Sequence, residues 1–167
     1  MYGGFKQYHN SGRLDESHLG HDFVSYLDHQ KTEHFSLPHT TSVRAIADGI
    51  VKSIIRGKEG SGFRDYELYL IVQHNELGLA SGYLHVVPQI SVGDEVKKGQ
   101  VIATLYDTSP LYPDIRLPTH LHLELGNARK LNKRYPFLDE LVDPLKIIPG
   151  LKEISVKPES PFPPHAR

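Results

Sequence analysis

Thr119-His120-Leu121-His122-Leu123-Glu124-Leu125-Gly126 alternates with a period of two. The pattern assigns Leu121, Leu123 and Leu125 to one face of a strand and His120, His122 and Glu124 to the other. Burial of the leucines fixes the register, because a slip of one residue would send all three to solvent and the histidines into the core. Two imidazoles are thereby held on a rigid support, as a metal site requires. Taken alone, His-x-His is equally well two exposed polar residues on a half-buried strand.

The rest of the chain is punctuated in the same manner. Residues 43–47, 50–56, 66–74, 79–87, 95–97, 101–106 and 119–125 are predicted strands separated by Gly, Asp or Asn, the pattern of an antiparallel sandwich or barrel. Within 79–87, alternation places Tyr83, His85 and Val87 on one face and Leu84 and Val86 on the other. Helix is expected only as a short turn over 135–141, stopped at Asp143-Pro144. With 167 residues, 38% of them apolar, the chain is long enough for one core of ordinary size. We expect one domain over 1–151 and an extended tail over 152–167, which carries Pro158, Pro161, Pro163 and Pro164.

A second group of polar residues lies near the start, in His18-Leu19-Gly20-His21-Asp22. In a straight strand, residues four apart are roughly 13 Å from each other. Donors that share one Zn²⁺ lie only about 4 Å apart, so the segment must bend or coil if both bind, most easily at Gly20. By itself the stretch reads more simply as an amphipathic helix, with Leu19, Phe23, Tyr26 and Leu27 inward and His18, Asp22 and His29 in solvent. Combined with His120 and His122, the nitrogen and oxygen donors suit one divalent metal, and hence a zinc enzyme. His85, in Ser81-Gly82-Tyr83-Leu84-His85-Val86-Val87, would alone be read as structural. His9, His21, His29, His34, His39 and His165 are expected at the surface, and His74 is expected to be structural at a strand end.

His-x-x-x-Asp, then Tyr-x-His, then His-x-His followed by Leu-Glu-Leu, in that order, resembles the lysostaphin-type (LytM-type) zinc endopeptidases that cut peptide cross-links of bacterial cell walls. Val43 to Val51 resembles the family's strand-turn-strand with its Asp-Gly turn, and Val92 to Ala103 resembles its Gly-Asp hairpin. Leu70 to His85 and Val142 to Pro144 fit as well, so that the likeness covers most of residues 5–148. The resemblance implies a duplicated hybrid (barrel-sandwich) β fold with few short helices. It also implies zinc ligands at His18, Asp22 and His122 and catalytic imidazoles at His85 and His120. Three protein ligands leave one tetrahedral position for water, and the lack of cysteine agrees with a catalytic rather than a structural zinc. There is no His-Glu-x-x-His, so an imidazole, with its ordinary pKa near 6.5, takes the place of the usual glutamate base; either His85 or His120 can serve. The implied reaction is hydrolysis of peptide bonds in peptidoglycan by a metal-activated water, in the periplasm or outside the cell. The segments 23–42 and 106–118 depart from the family pattern and are expected to be loops that shape the groove.

Other classes are disfavoured. A net charge of −1 with no basic run gives no footprint for nucleic acid. No apolar stretch reaches the ~20 residues of a membrane span. The first residues lack the apolar core of a signal peptide, so the sequence is expected to be a mature or trimmed form, or a protein used differently. A non-catalytic LytM-like module that binds and regulates a wall hydrolase is the main alternative, weakened because all five polar positions are filled; the sequence names no regulatory partner. Val92 to Ala103 is also similar to biotinyl and lipoyl hairpins, but neither Asp-Lys-Ala nor Met-Lys-Met occurs, and Lys97-Lys98 reads as a solvated turn. Phosphocarrier histidines on a related barrel would give Asp22 no role.

Overall fold

Period-two patterning becomes strand in the computed structural model, which describes residues 21–27, 29–56, 68–107, 119–127, 142 and 144–148. His18, the expected helix over 135–141 and the tail over 152–167 lie outside the described residues. The strands in chain order are β1 (His21–Phe23), β2 (Ser25–Leu27), β3 (Glu33–Phe35), β4 (Ser42–Arg44), β5 (Gly49–Arg56), β6 (Leu68–His74), β7 (Leu79–Leu84), β8 (Val86–Pro88), β9 (Glu95–Val96), β10 (Val101–Leu105) and β11 (Leu121–Asn127). A 3-10 turn spans Asn75–Leu77, and a single helical turn, α1, spans Pro144–Ile147. The chain is mainly β and antiparallel, as its patterning predicts. Pro144 begins a helical turn, which its fixed φ and missing N–H suit.

Six strands form one sheet in the order β1-β11-β7-β6-β5-β9, three form another in the order β4-β10-β8, and β2 pairs with β3. The inward faces of the two larger sheets share one core. Phe23, Leu70, Val72, Tyr83 and Leu123 from the first meet Val43, Val86, Ile102, Ala103 and Leu105 from the second. Each large apolar side chain buried this fully contributes about 1.5–3 kcal/mol. The leucines of β11 behave as the alternation requires: Leu123 and Leu125 are buried, with Leu121 packed against the same core.

Four local expectations are corrected. The expected loop over 23–42 contains the β2–β3 pair, with Ser25 opposite Phe35 and Leu27 opposite Glu33. The expected hairpin over Val92 to Ala103 is instead an arch between sheets, since β9 pairs with β5 while β10 pairs with β4 and β8. The expected strand 79–87 breaks at His85, where φ is +59°. That turn shifts the alternation by one residue, so Val86 is fully buried and Val87 is 41% exposed. Finally, His21 is buried: opposite Leu123 in the β1–β11 ladder, it falls on the core side of the sheet.

His74 is structural, as expected. It is fully buried at the end of β6, with Nδ1 2.8 Å from the Asp48 carbonyl oxygen and Nε2 2.7 Å from Ser81 Oγ. Burial holds its pKa below the ordinary imidazole value. A neutral ring must therefore donate Nδ1–H to the carbonyl and accept the Ser81 hydroxyl at Nε2. Asp48 in turn accepts the Lys98 N–H at 2.8 Å and the Lys97 ammonium at 2.9 Å, contacts that hold its carboxyl below the usual range. Lys97 and Lys98 are thus residues of an exposed, capped turn.

Candidate active site

The β1–β11 ladder sets Asp22 opposite His122. The residues flanking them, His21, Phe23 and Leu123, are buried toward the core, so Asp22 and His122 lie on the other face of the six-stranded sheet. Pairing with β11 overrides the local helical periodicity of this segment, and Asp22, which a helix would turn to solvent, is buried.

His122 lies between two carboxylates. Its Nδ1 is 2.8 Å from Asp22 Oδ1 and its Nε2 is 3.2 Å from Glu124 Oε1. Glu124 follows His122 by two residues on the same face and is itself buried. Burial opposes a charged ring here, but the hydrogen bonds to Asp22 and then to Glu124 outweigh it, pushing the His122 pKa up to about 9. Only a doubly protonated imidazole can donate to both carboxylates at once.

Two more imidazoles converge on this pair. His120 precedes β11, with Nε2 3.8 Å from Asp22 Oδ1. Its neighbour Thr119 is clamped on both sides: the Thr119 N–H donates to Ser36 Oγ at 3.0 Å, and its carbonyl accepts the Leu37 N–H at 2.8 Å. The His85 ring centroid lies 4.6 Å from that of His120 and 6.5 Å from that of His122. His85 occupies the break between β7 and β8, directly after Leu84, the residue opposite His122 in the ladder. Its carbonyl accepts the Tyr106 N–H at 2.8 Å. A left-handed backbone is costly for a residue with a Cβ and tends to be retained at functional sites.

Asp22, His85, His120 and His122, four of the five residues singled out in the sequence, therefore come together. The fifth, His18, lies outside the described residues. The donor chemistry here, one carboxylate and one imidazole within 2.8 Å of each other, fits part of a zinc site. Among the described residues, no group of three His, Cys, Asp or Glu side chains is arranged to hold a metal by itself. A metal held here would need a third donor, and His18 precedes Asp22 by four positions.

Two residues of the site had no role in the sequence reading. Glu124 was visible on the histidine face through the alternation, but its contact with His122 was not. Tyr69 carried no local signal. It lies on β6, two strands from β11, and donates its hydroxyl to Glu124 Oε2 at 2.6 Å.

Comparison with known proteins agrees with this architecture. The family model described as Peptidase family M23 matches residues 28–134, a span that includes His85, His120 and His122 and begins after Asp22. Among solved structures, that of LytU is 24% identical, with a TM-score of 0.57, and the match covers 86% of this chain and 80% of that one. The catalytic domain of the antimicrobial peptidase lysostaphin from Staphylococcus simulans is also 24% identical, with a TM-score of 0.50 and coverage of 88% and 87%. These structural likenesses establish the fold. No curated protein matches the chain.

Proposed function

As the chain belongs to peptidase family M23, we propose that it is a zinc-dependent endopeptidase that hydrolyses peptide cross-links of peptidoglycan. The observation that carries this reading is the convergence of Asp22 and His122 across the β1–β11 ladder with the rings of His85 and His120 beside them. His18, Asp22 and His122 would hold the metal. When bound, zinc polarises the scissile carbonyl and acidifies the attacking water.

The remaining chemistry belongs to the chain's own imidazoles. One of His85 and His120 accepts the proton of the attacking water and returns it to the leaving amine; the other donates a hydrogen bond to the developing oxyanion. Their ring centroids lie 4.6 Å apart, a spacing that supports both acting on one scissile bond. Hydrogen bonds to the backbone of His85 and of Thr119, the neighbour of His120, support the pair's placement beside Asp22 and His122. The wall-peptide substrate is supported by family membership and by the likeness to lysostaphin, which is an antimicrobial peptidase. A wall substrate places the enzyme in the periplasm or outside the cell.

The test is digestion of defined wall cross-link peptides by zinc-loaded protein, with products identified by mass. Cleavage that is abolished by chelation and restored by zinc supports the reading. Hydrolysis of unrelated peptides with no cleavage of any wall peptide reassigns the substrate; stoichiometric zinc without hydrolysis of any peptide removes the peptidase reading.

A further inference from the structure

We infer that Tyr69 and Glu124 form a brace that orients His122, and that Gly82 exists to let this brace pass across the intervening strand. The inference rests on the reading of His122 as a metal ligand and adds positioning residues to it.

The three residues lie on three adjacent strands. In the ladder, Tyr69 of β6 lies opposite Leu84 of β7, which lies opposite His122 of β11; two residues on, and on the same face, Ile71 lies opposite Gly82, which lies opposite Glu124. Tyr69 thus starts on the His122 rung and must lean diagonally across β7 to reach Glu124. Such a diagonal is within reach of an aromatic side chain only if nothing projects from the strand between. Gly82 is where the side chain is missing. A Cβ there would lie 2.3 Å from the Tyr69 hydroxyl oxygen, 2.5 Å from Cε2 and 2.7 Å from Cζ, distances no real contact shows. A glycine in a strand interior weakens the strand, so its presence where another group crosses closely has a positive reason.

The contact it admits is a strong one. A phenol donating to a carboxylate at 2.6 Å is a charge-assisted hydrogen bond, and both partners are buried, Tyr69 completely and Glu124 at 4% exposure. With Oε2 engaged by Tyr69, Glu124 presents Oε1 to His122 Nε2 at 3.2 Å. That leaves Nδ1 as the nitrogen facing Asp22. The brace therefore selects which ring nitrogen points toward the other proposed donor and fixes the ring plane, the usual duty of an outer partner to a ligating histidine. Tyr69 also packs with Ile71, Ala80, Ile55 and Leu84 in a small apolar cluster on this face, so its ring is held independently of the hydrogen bond.

Tyr83 supplies the control. It is another buried tyrosine whose hydroxyl is hydrogen-bonded, accepting the Ile46 N–H at 3.1 Å, but it belongs to the core face of the same sheet. Removing that hydroxyl disturbs stability without touching the brace.

The experiment compares wild type with Tyr69→Phe, Glu124→Gln, Gly82→Ala and Tyr83→Phe. It reads zinc affinity by chelator competition, the visible spectrum of the cobalt-substituted protein, and imidazole ¹⁵N shifts of the metal-free protein. Zinc affinity is expected to fall about 10- to 100-fold in Tyr69→Phe and Glu124→Gln. The cobalt spectrum should change with it, and Tyr83→Phe should match wild type in both. Gly82→Ala should resemble Tyr69→Phe. In the metal-free protein, the His122 Nε2 shift should report a hydrogen bond to carboxylate in wild type that weakens in Tyr69→Phe. Wild-type zinc affinity and unchanged ¹⁵N shifts in Tyr69→Phe and Glu124→Gln would overturn the brace. Failure of wild type to bind zinc overturns the metal reading instead, while the ¹⁵N shifts still decide whether Glu124 holds His122.

Discussion

Raising the pH of the metal-free protein should weaken it in a window where most domains are insensitive. His122, held between Asp22 and Glu124, titrates at about 9 in the folded protein against an ordinary value of 6.5. A group whose folded pKa is raised contributes stability fully below its unfolded pKa, and that contribution is lost as pH climbs through the folded one. The window is therefore 6.5 to about 9. At about 1.36 kcal/mol per pH unit of separation, the loss is on the order of 3 kcal/mol, a large share of a typical 5–15 kcal/mol. His122 is buried, so solvent screening removes little of it. His74, whose folded pKa is lowered, acts below this window and does not mask the effect. The zinc-saturated protein should be flat over the same range, because a ligating His122 has already given up one ring proton. Urea denaturation at intervals from pH 6.5 to 9.5, with and without zinc, measures both curves. A metal-free curve that is flat or rises with pH, or that keeps its slope in His122→Gln, would refute the reasoning.

Two further outcomes follow from backbone geometry. His85→Gly should keep or slightly raise the melting temperature, because glycine tolerates the +59° φ, while peptide hydrolysis drops by about 10²–10⁴-fold; equal activity to wild type would remove His85 from the mechanism. Gly49→Ala should destabilise by about 1–3 kcal/mol, since its Cβ would meet the Gln73 carbonyl oxygen at 2.5 Å and His74 Nδ1 at 2.8 Å. An unchanged urea midpoint would show that β5 can move away from β6 without cost.

What was legible in the sequence was whatever depends on neighbours along the chain. Leucines and histidines alternate over 119–126, and that alone assigned the two faces of β11. Folding consequences that depend on cross-strand neighbours were not legible. Phe23, Tyr26 and Leu27 recur at nearly helical spacing, and only the pairing of β1 with β11 makes 21–23 extended and carries Asp22 to His122. The Tyr69–Glu124 contact requires three strands in a particular register and a glycine between them, none of which is local. The left-handed turn at His85 was likewise hidden, because its flanking residues alternate as an unbroken strand would and no glycine marks the break.

In the proposed site His122 holds the metal and His120 does not. Metal analysis of purified protein after zinc loading tests it most directly, on wild type, His18→Ala, Asp22→Ala, His120→Ala and His122→Ala. About one zinc per chain is expected for wild type and for His120→Ala, which loses turnover, and little for the other three. Equal zinc in the His120→Ala and His122→Ala proteins would contradict it.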